Sequence, residues 1–245
     1  MVQRNPGRSS LRALKLAIFS ESPSDEEALR ILVEAILGEK TQSVQLYSLR
    51  SRGWPSTLHN VPSVLRHLHY RTDAEALIIV VDSDKSPVHL PSHEQPDGID
   101  TECRLCQLSS SSIDTMKKLR PVEGRKPIKV GLGLAVPSIE AWLRCGLDTH
   151  ITETAWTQAL QMNSFPYTVR SLKQDVYGTT IPSLGLEKEC AMAESKRLAK
   201  NLEVLENFFP NGFGALARHV GGWEGTQFRP LAGGYSIFIN AVATA

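Results

Sequence analysis

No apolar run in this chain approaches the roughly 20 residues that a bilayer span requires, so no membrane-spanning segment is expected. Charge of one sign is lacking too: 27 basic and 26 acidic residues leave a formal net charge of +1. Without a global basic field, any nucleic-acid partner must be held by a local patch. Cysteine is scarce, with four in 245 residues (Cys103, Cys106, Cys145 and Cys190). That scarcity excludes a disulfide framework and makes the cytoplasm the default compartment. The amino terminus, M-V-Q-R-N-P-G-R-S-S, is basic but lacks the apolar stretch of a signal peptide, and it reads as a frayed tail. Internal repeats are missing, as is low complexity beyond residues 109–112. The chain also has no G-x4-G-K-[ST] phosphate loop.

What is present is an ordinary globular composition, 41% hydrophobic and 22% charged, of a length for one large domain or one domain with a smaller appendage. The organising stretch is A-L-I-I-V-V-D-S-D. Five apolar residues, Leu77 to Val81, run into Asp82, and Asp84 follows. An unbroken apolar run of this length suits a parallel-sheet strand covered on both faces. Ligands of open α/β sheets bind beyond the carboxyl ends of such strands. Side chains two apart in extended backbone point the same way, which would aim both carboxylates at one point. Close carboxylates repel and raise each other's pKa unless a cation lies between them, and hard oxygen donors suit Mg²⁺ or Mn²⁺. The alternative is a pair of aspartates capping the next loop.

Other strand ends deliver more acids. Residues 14–19 (L-K-L-A-I-F) read as a first strand ending near Glu21. Ser24 and Glu27 fit a capping box for a helix that Gly38 stops, and Asp25 lies in its first turn. A second strand is expected over residues 44–49 and a helix over 55–70. The fourth strand is expected over 127–136, its glycines marking close packing. It leads to P-S-I-E-A-W-L, with Ser138 and Glu140 at a helix start. Between strands three and four, residues 83–112 form a long polar segment. There His89-x3-His93 and Cys103-x2-Cys106 could close a tetrahedral Zn²⁺ site or be loose loop residues. A short helix is expected over 112–119, followed by a basic stretch of Lys117, Lys118, Arg120, Arg125 and Lys126. That stretch is either solvated surface or a phosphate-contacting patch beside the acids. Helical periodicity covers 152–162, 169–177 and 187–209, with Lys173 the basic residue to watch; residues 221–245 have no assignment. The domain expectation is an α/β unit over 11–147 and a helical region over 148–245, packed on it or appended.

Glu21-x3-Asp25 after strand one, Asp82-x-Asp84 after a later strand, and Ser138-x-Glu140 after the fourth resemble the TOPRIM domain of topoisomerases, primases and OLD-family nucleases. The segment V-P-S-I-E-A-W is similar to small stand-alone TOPRIM proteins of bacterial defence loci. Ser22 stands where many TOPRIM proteins have glycine. The resemblance implies a Rossmann-like, mostly parallel four-stranded sheet and a nuclease using one or two Mg²⁺ or Mn²⁺ ions on DNA or RNA. It implies Glu21 as ligand or general base, Asp82 and Asp84 on the principal ion, and Asp25, Ser138 and Glu140 at a second site. Lys173 would stabilise developing negative charge, and a separately encoded ATPase is the implied partner. Competing readings are a non-catalytic TOPRIM module that binds nucleic acid or a protein, and a phosphatase- or receiver-like domain acting on a small phosphate ester.

Overall fold

The computed structural model describes residues 12–46, 53–95 and 97–223. Four strands form one sheet: β1 (Leu14–Ser20), β2 (Thr41–Val44), β3 (Ala76–Asp82) and β4 (Lys129–Ala135). Their order is β2-β1-β3-β4, and every neighbouring pair is parallel. The long apolar run dictates the centre. In β3, residues 76 to 81 are each 3% exposed or less, which only a strand covered on both faces achieves.

Helices supply that cover: α1 (Pro23–Leu37), α2 (Trp54–Arg71), α3 (Arg104–Met116), α4 (Ile139–Arg144), α5 (Glu153–Met162), α6 (Val169–Tyr177), α7 (Leu184–Leu198), α8 (Leu202–Phe208) and α9 (Phe213–Gly221). The pair α2 and α3 packs on one face, while α1 and α9 pack on the other with α7 alongside α1. The result is a Rossmann-like three-layer arrangement. None of the described helices is long and apolar enough to cross a membrane.

Strand order reverses between β1 and β3, one crossover leading to each side. That makes the carboxyl end of this pair the topological switch point, where open α/β sheets bind their ligands. Glu21 and Asp82 stand there.

Strand β4 is an edge, and the chain covers it. The Leu132 N–H donates to Nδ1 of His219 at 3.0 Å, and the Leu134 N–H to the Gly212 carbonyl at 3.5 Å. Gly212 is required there, since a Cβ would lie 2.1 Å from the Leu134 carbonyl oxygen. Gly133 likewise lets Leu216 of α9 and Trp142 press onto the strand, as close packing at the β4 glycines predicts.

Several boundaries differ from expectation. Helix α1 is capped by Ser22, not Ser24, because Pro23 suits the first helical position. Strand β2 begins earlier and ends at Val44; the remainder of the expected strand, from residue 47, lies outside the described residues. Helix α3 starts at Arg104 and runs through the serines, ending before the basic stretch. Ser109 and Ser112 occupy inward positions that an apolar residue would have advertised. The long helix expected over 187–209 is two helices, broken where Asn201 leaves helical backbone (φ −151°, ψ 74°) just before α8. Residues 224–245, which carried no assignment, lie outside the described residues.

Candidate functional site

The acids singled out from the sequence stand together at the switch point. Asp82 ends β3; its Oδ1 accepts the Ile139 N–H of α4 at 3.0 Å, and its own N–H donates to Oε1 of Glu21 at 3.1 Å. Strands one, three and four are thus laced by carboxylates at their common end. Burial pushes the Glu21 carboxyl above its ordinary range, against the pull of the Asp82 N–H and of Arg104. Asp82 is raised well above its ordinary range by burial, then by Glu140, Asp25, Glu21 and Asp84. Asp25 is raised in the same way by burial, then by Glu140 and Glu187. Glu140 and Glu21 act on both Asp25 and Asp82, which is the electrostatic signature of one shared pocket.

Asp84 does not follow the strand alternation assumed for it. The chain leaves β3 at Asp82, and Asp84 sits in left-handed backbone (φ 48°), with its N–H on the Pro137 carbonyl. Its side chain is 54% exposed and turns to Arg104 at 2.9 Å. Ser138 is fully buried and donates to Oε2 of Glu140 at 2.6 Å, fixing that carboxylate. Lys173 reaches the same group from α6, 3.6 Å from Oε1 of Glu140.

Three members of the pocket had not been singled out. Arg104 pairs with Asp84, stands 3.9 Å from Glu21, donates to the Asp82 carbonyl at 2.6 Å and lies over the Trp54 ring. Tyr177, one turn beyond Lys173, donates to Oε1 of Glu140 at 3.4 Å. Burial, then Glu140, pushes its hydroxyl far above the ordinary range. Glu187 of α7 accepts from Ser24 at 3.0 Å beside Asp25. The i,i+4 spacing of Lys173 and Tyr177 was a readable signal; for Glu187 there was none.

A cavity of about 550 Å³ opens beside Asp84 and Arg104, walled by Trp156, Phe165 and Tyr167. Trp156 stacks on Tyr167 at 5.4 Å between centroids, and its indole N–H donates to the Asp84 carbonyl.

The basic stretch is elsewhere. Lys117, Lys118, Arg120, Arg125 and Lys126 lie in and around the connection entering β4, at the amino edge of the sheet, a strand's length from the acids. The parallel crossover returns the chain to that edge, so these five residues form no patch beside the pocket. Arg125 is occupied in capping α2, donating to the carbonyls of Leu68, His69 and Ala74. Lys117, Lys118, Arg120 and Lys126 are exposed.

His89, His93, Cys103 and Cys106 are not loose loop residues. All four are buried, and one ligand atom from each lies within 4.8 Å of the others, a set that can hold a metal ion such as zinc. Among the described residues the acids are not gathered in this way; Arg104 and Lys173 stand among them.

Comparison with family models, curated proteins and solved structures finds no match.

Proposed function

We propose that the chain is a TOPRIM-like nuclease that hydrolyses phosphodiester bonds with Mg²⁺ or Mn²⁺, in the manner of the small OLD-like proteins of bacterial defence. The observation that carries this reading is the nearness of Glu21, Asp25, Asp82 and Glu140 at the switch point of a parallel sheet, with Asp84 at its rim on Arg104. Their chemistry fits a hard cation. The donors are carboxylate oxygens, and Asp25 and Asp82 are held high by burial and then by their acidic neighbours, both of which a divalent charge would offset. Asp82 and Glu140, with Asp25 beside them, would hold it, and Asp84 would join them only by turning away from Arg104. A bound Mg²⁺ or Mn²⁺ supplies Lewis acidity to the phosphoryl oxygens and acidity to a bound water.

The remaining steps belong to the protein. Glu21 keeps one oxygen on the Asp82 N–H, leaving the other to take the proton of an attacking water, and its raised pKa suits it to that role. Lys173 offers an ammonium to charge that develops on the phosphate. The aromatic walls of the adjoining cavity suit a stacked nucleobase, and Lys85 and Arg104 on its rim suit the flanking phosphates. That combination favours a polynucleotide over a small phosphate ester. DNA or RNA and a separately encoded ATPase are the partners this reading implies.

A second reading, a non-catalytic module that binds nucleic acid or a partner, draws on Arg104. Its guanidinium already neutralises Asp84 and stands 3.9 Å from Glu21, which lessens the demand for a metal. Plasmid DNA and single-stranded RNA incubated with the protein and Mg²⁺ or Mn²⁺ separate the two. Cleavage is expected, falling by about a hundredfold or more in Asp82→Asn. Cleavage no faster than that of Asp82→Asn would leave the binding module standing.

A further inference from the structure

The buried His₂Cys₂ cluster serves none of the chemistry proposed for the acids. We propose that it is a closed zinc site, and that the ion, by clasping the segment between β3 and α3, aims Arg104 into the acidic pocket.

The geometry is that of coordination. Nδ1 of His89 lies 3.6 Å from the sulfur of Cys103 and 3.6 Å from that of Cys106, and Nδ1 of His93 lies 3.6 Å from Cys106. Zn–S bonds of about 2.3 Å and Zn–N bonds of about 2.0–2.1 Å at a tetrahedral angle place sulfur and nitrogen roughly 3.6 Å apart. Thiol hydrogen bonds explain the cluster less well, because two sulfurs converge on one ring nitrogen, which as an acceptor offers a single lone pair. The cysteines are unbridged.

The outward ring nitrogens are also arranged for a metal. Nε2 of His89 faces Glu94 at 3.8 Å, and Nε2 of His93 faces Asp100 at 3.9 Å. A carboxylate behind each imidazole is the usual support of a metal-bound histidine. Glu94 is itself held at 2.9 Å by Arg218 of α9. Two sulfurs and two imidazoles select zinc over a hard cation, and four protein ligands leave no open position for substrate.

The segment needs such a clasp. Among its described residues between β3 and α3 it holds one short 3-10 turn (Pro91–Glu94) as regular structure, so the cluster adds to the Asp84–Pro137 and Glu94–Arg218 bonds in offsetting its ordering entropy. Arg104 lies between Cys103, which caps α3, and Cys106 in its first turn. Fixing those two sulfurs fixes the start of the helix and sends the guanidinium to Asp84, Glu21 and the Asp82 carbonyl.

The test uses the full chain and needs no substrate, so its outcome is separate from that of the nuclease reading. Elemental analysis should find one zinc per chain, and Co²⁺ substitution should give the thiolate charge-transfer and visible bands of a tetrahedral site. Cys106→Ser should lose both; the cobalt spectrum of the unaltered protein decides the matter if that variant does not fold. Nuclear magnetic resonance of the arginine N–H groups then reads the second half. Removing zinc should speed exchange at Arg104 by about tenfold or more, with Arg197, bonded to the Leu143 and Cys145 carbonyls, unchanged as the internal control. Zinc-free protein with no cobalt bands, or a Cys103–Cys106 disulfide by mass spectrometry, overturns the site. Zinc bound but Arg104 exchange indifferent to its removal overturns the clasp.

Discussion

The guanidinium of Arg104 donates to the backbone carbonyl of Asp82 across 2.6 Å while pairing with Asp84 at 2.9 Å. A helix start is thereby tied to the end of the central strand by a cation set among acids. The pocket is partly neutralised from within, by Arg104 on one side and Lys173 on the other. Arg104 holds the Glu21 carboxyl down and Lys173 that of Asp25, each against burial and acidic neighbours.

Lys173 is the residue whose removal should be read in the pH profile. It is one of the influences that hold the Asp25 carboxyl down against burial, Glu140 and Glu187. Lys173→Met should let Asp25 rise further, moving the acidic limb of the cleavage profile toward higher pH. The maximal rate should fall by about tenfold to a hundredfold. A lower rate with an unmoved limb would assign Lys173 to substrate binding alone.

Glu153 holds the turn between α8 and α9. It is buried, and its Oε2 accepts the N–H groups of Asn211 and Gly212 at 3.1 and 3.0 Å. Glu153→Ala strands both donors and should cost about 3 kcal/mol in urea unfolding. Glu153→Gln keeps an acceptor oxygen and should recover most of that loss.

His219 makes stability depend on pH. Burial, outweighing its bond to Leu132, holds the ring down to about 4, with Arg218 and His89 acting in the same direction and Glu94 against. The folded ring therefore binds fewer protons than the unfolded one between about pH 4 and 6.5, so its contribution is complete above 6.5 and lost as pH falls. Between pH 7.5 and pH 5 the loss should be about 2 kcal/mol. His219→Gln, which can still accept from the Leu132 N–H, should show a shallower pH dependence in urea unfolding.

Ser22 occupies a position that does not need glycine. Its backbone is extended (φ −131°), and its hydroxyl caps α1 by accepting the Ser24 N–H. Ser22→Gly should cost only a few tenths of a kcal/mol and leave cleavage within about twofold. A large loss of activity would mean that the hydroxyl acts in the pocket.

What could be read in advance follows the range of the interactions. Strand β3 and helix α6 have their expected bounds, because an unbroken apolar run and a Thr168 cap with Gly178 beyond are local signals. The acids were visible because strand ends precede helix starts in chain order. Helix α3 was hidden by its serines, which mask the inward stripe. Arg104 and Glu187 were invisible because their partners are brought close only by the fold, Glu187 meeting Ser24 across 163 positions. The two readings of the basic stretch, solvated surface or patch beside the acids, stayed open because charge along a sequence does not say which edge of a sheet it reaches.

Lys173, Tyr177 and Glu187 come from α6 and α7, long after the strands that bear the acids. A polypeptide still on the ribosome can assemble its four strands while Glu140 lacks both its ammonium and its phenol. Synthesis must pass α7 before the pocket is whole and α9 before β4 is covered, so a prematurely terminated product would lack the finished centre.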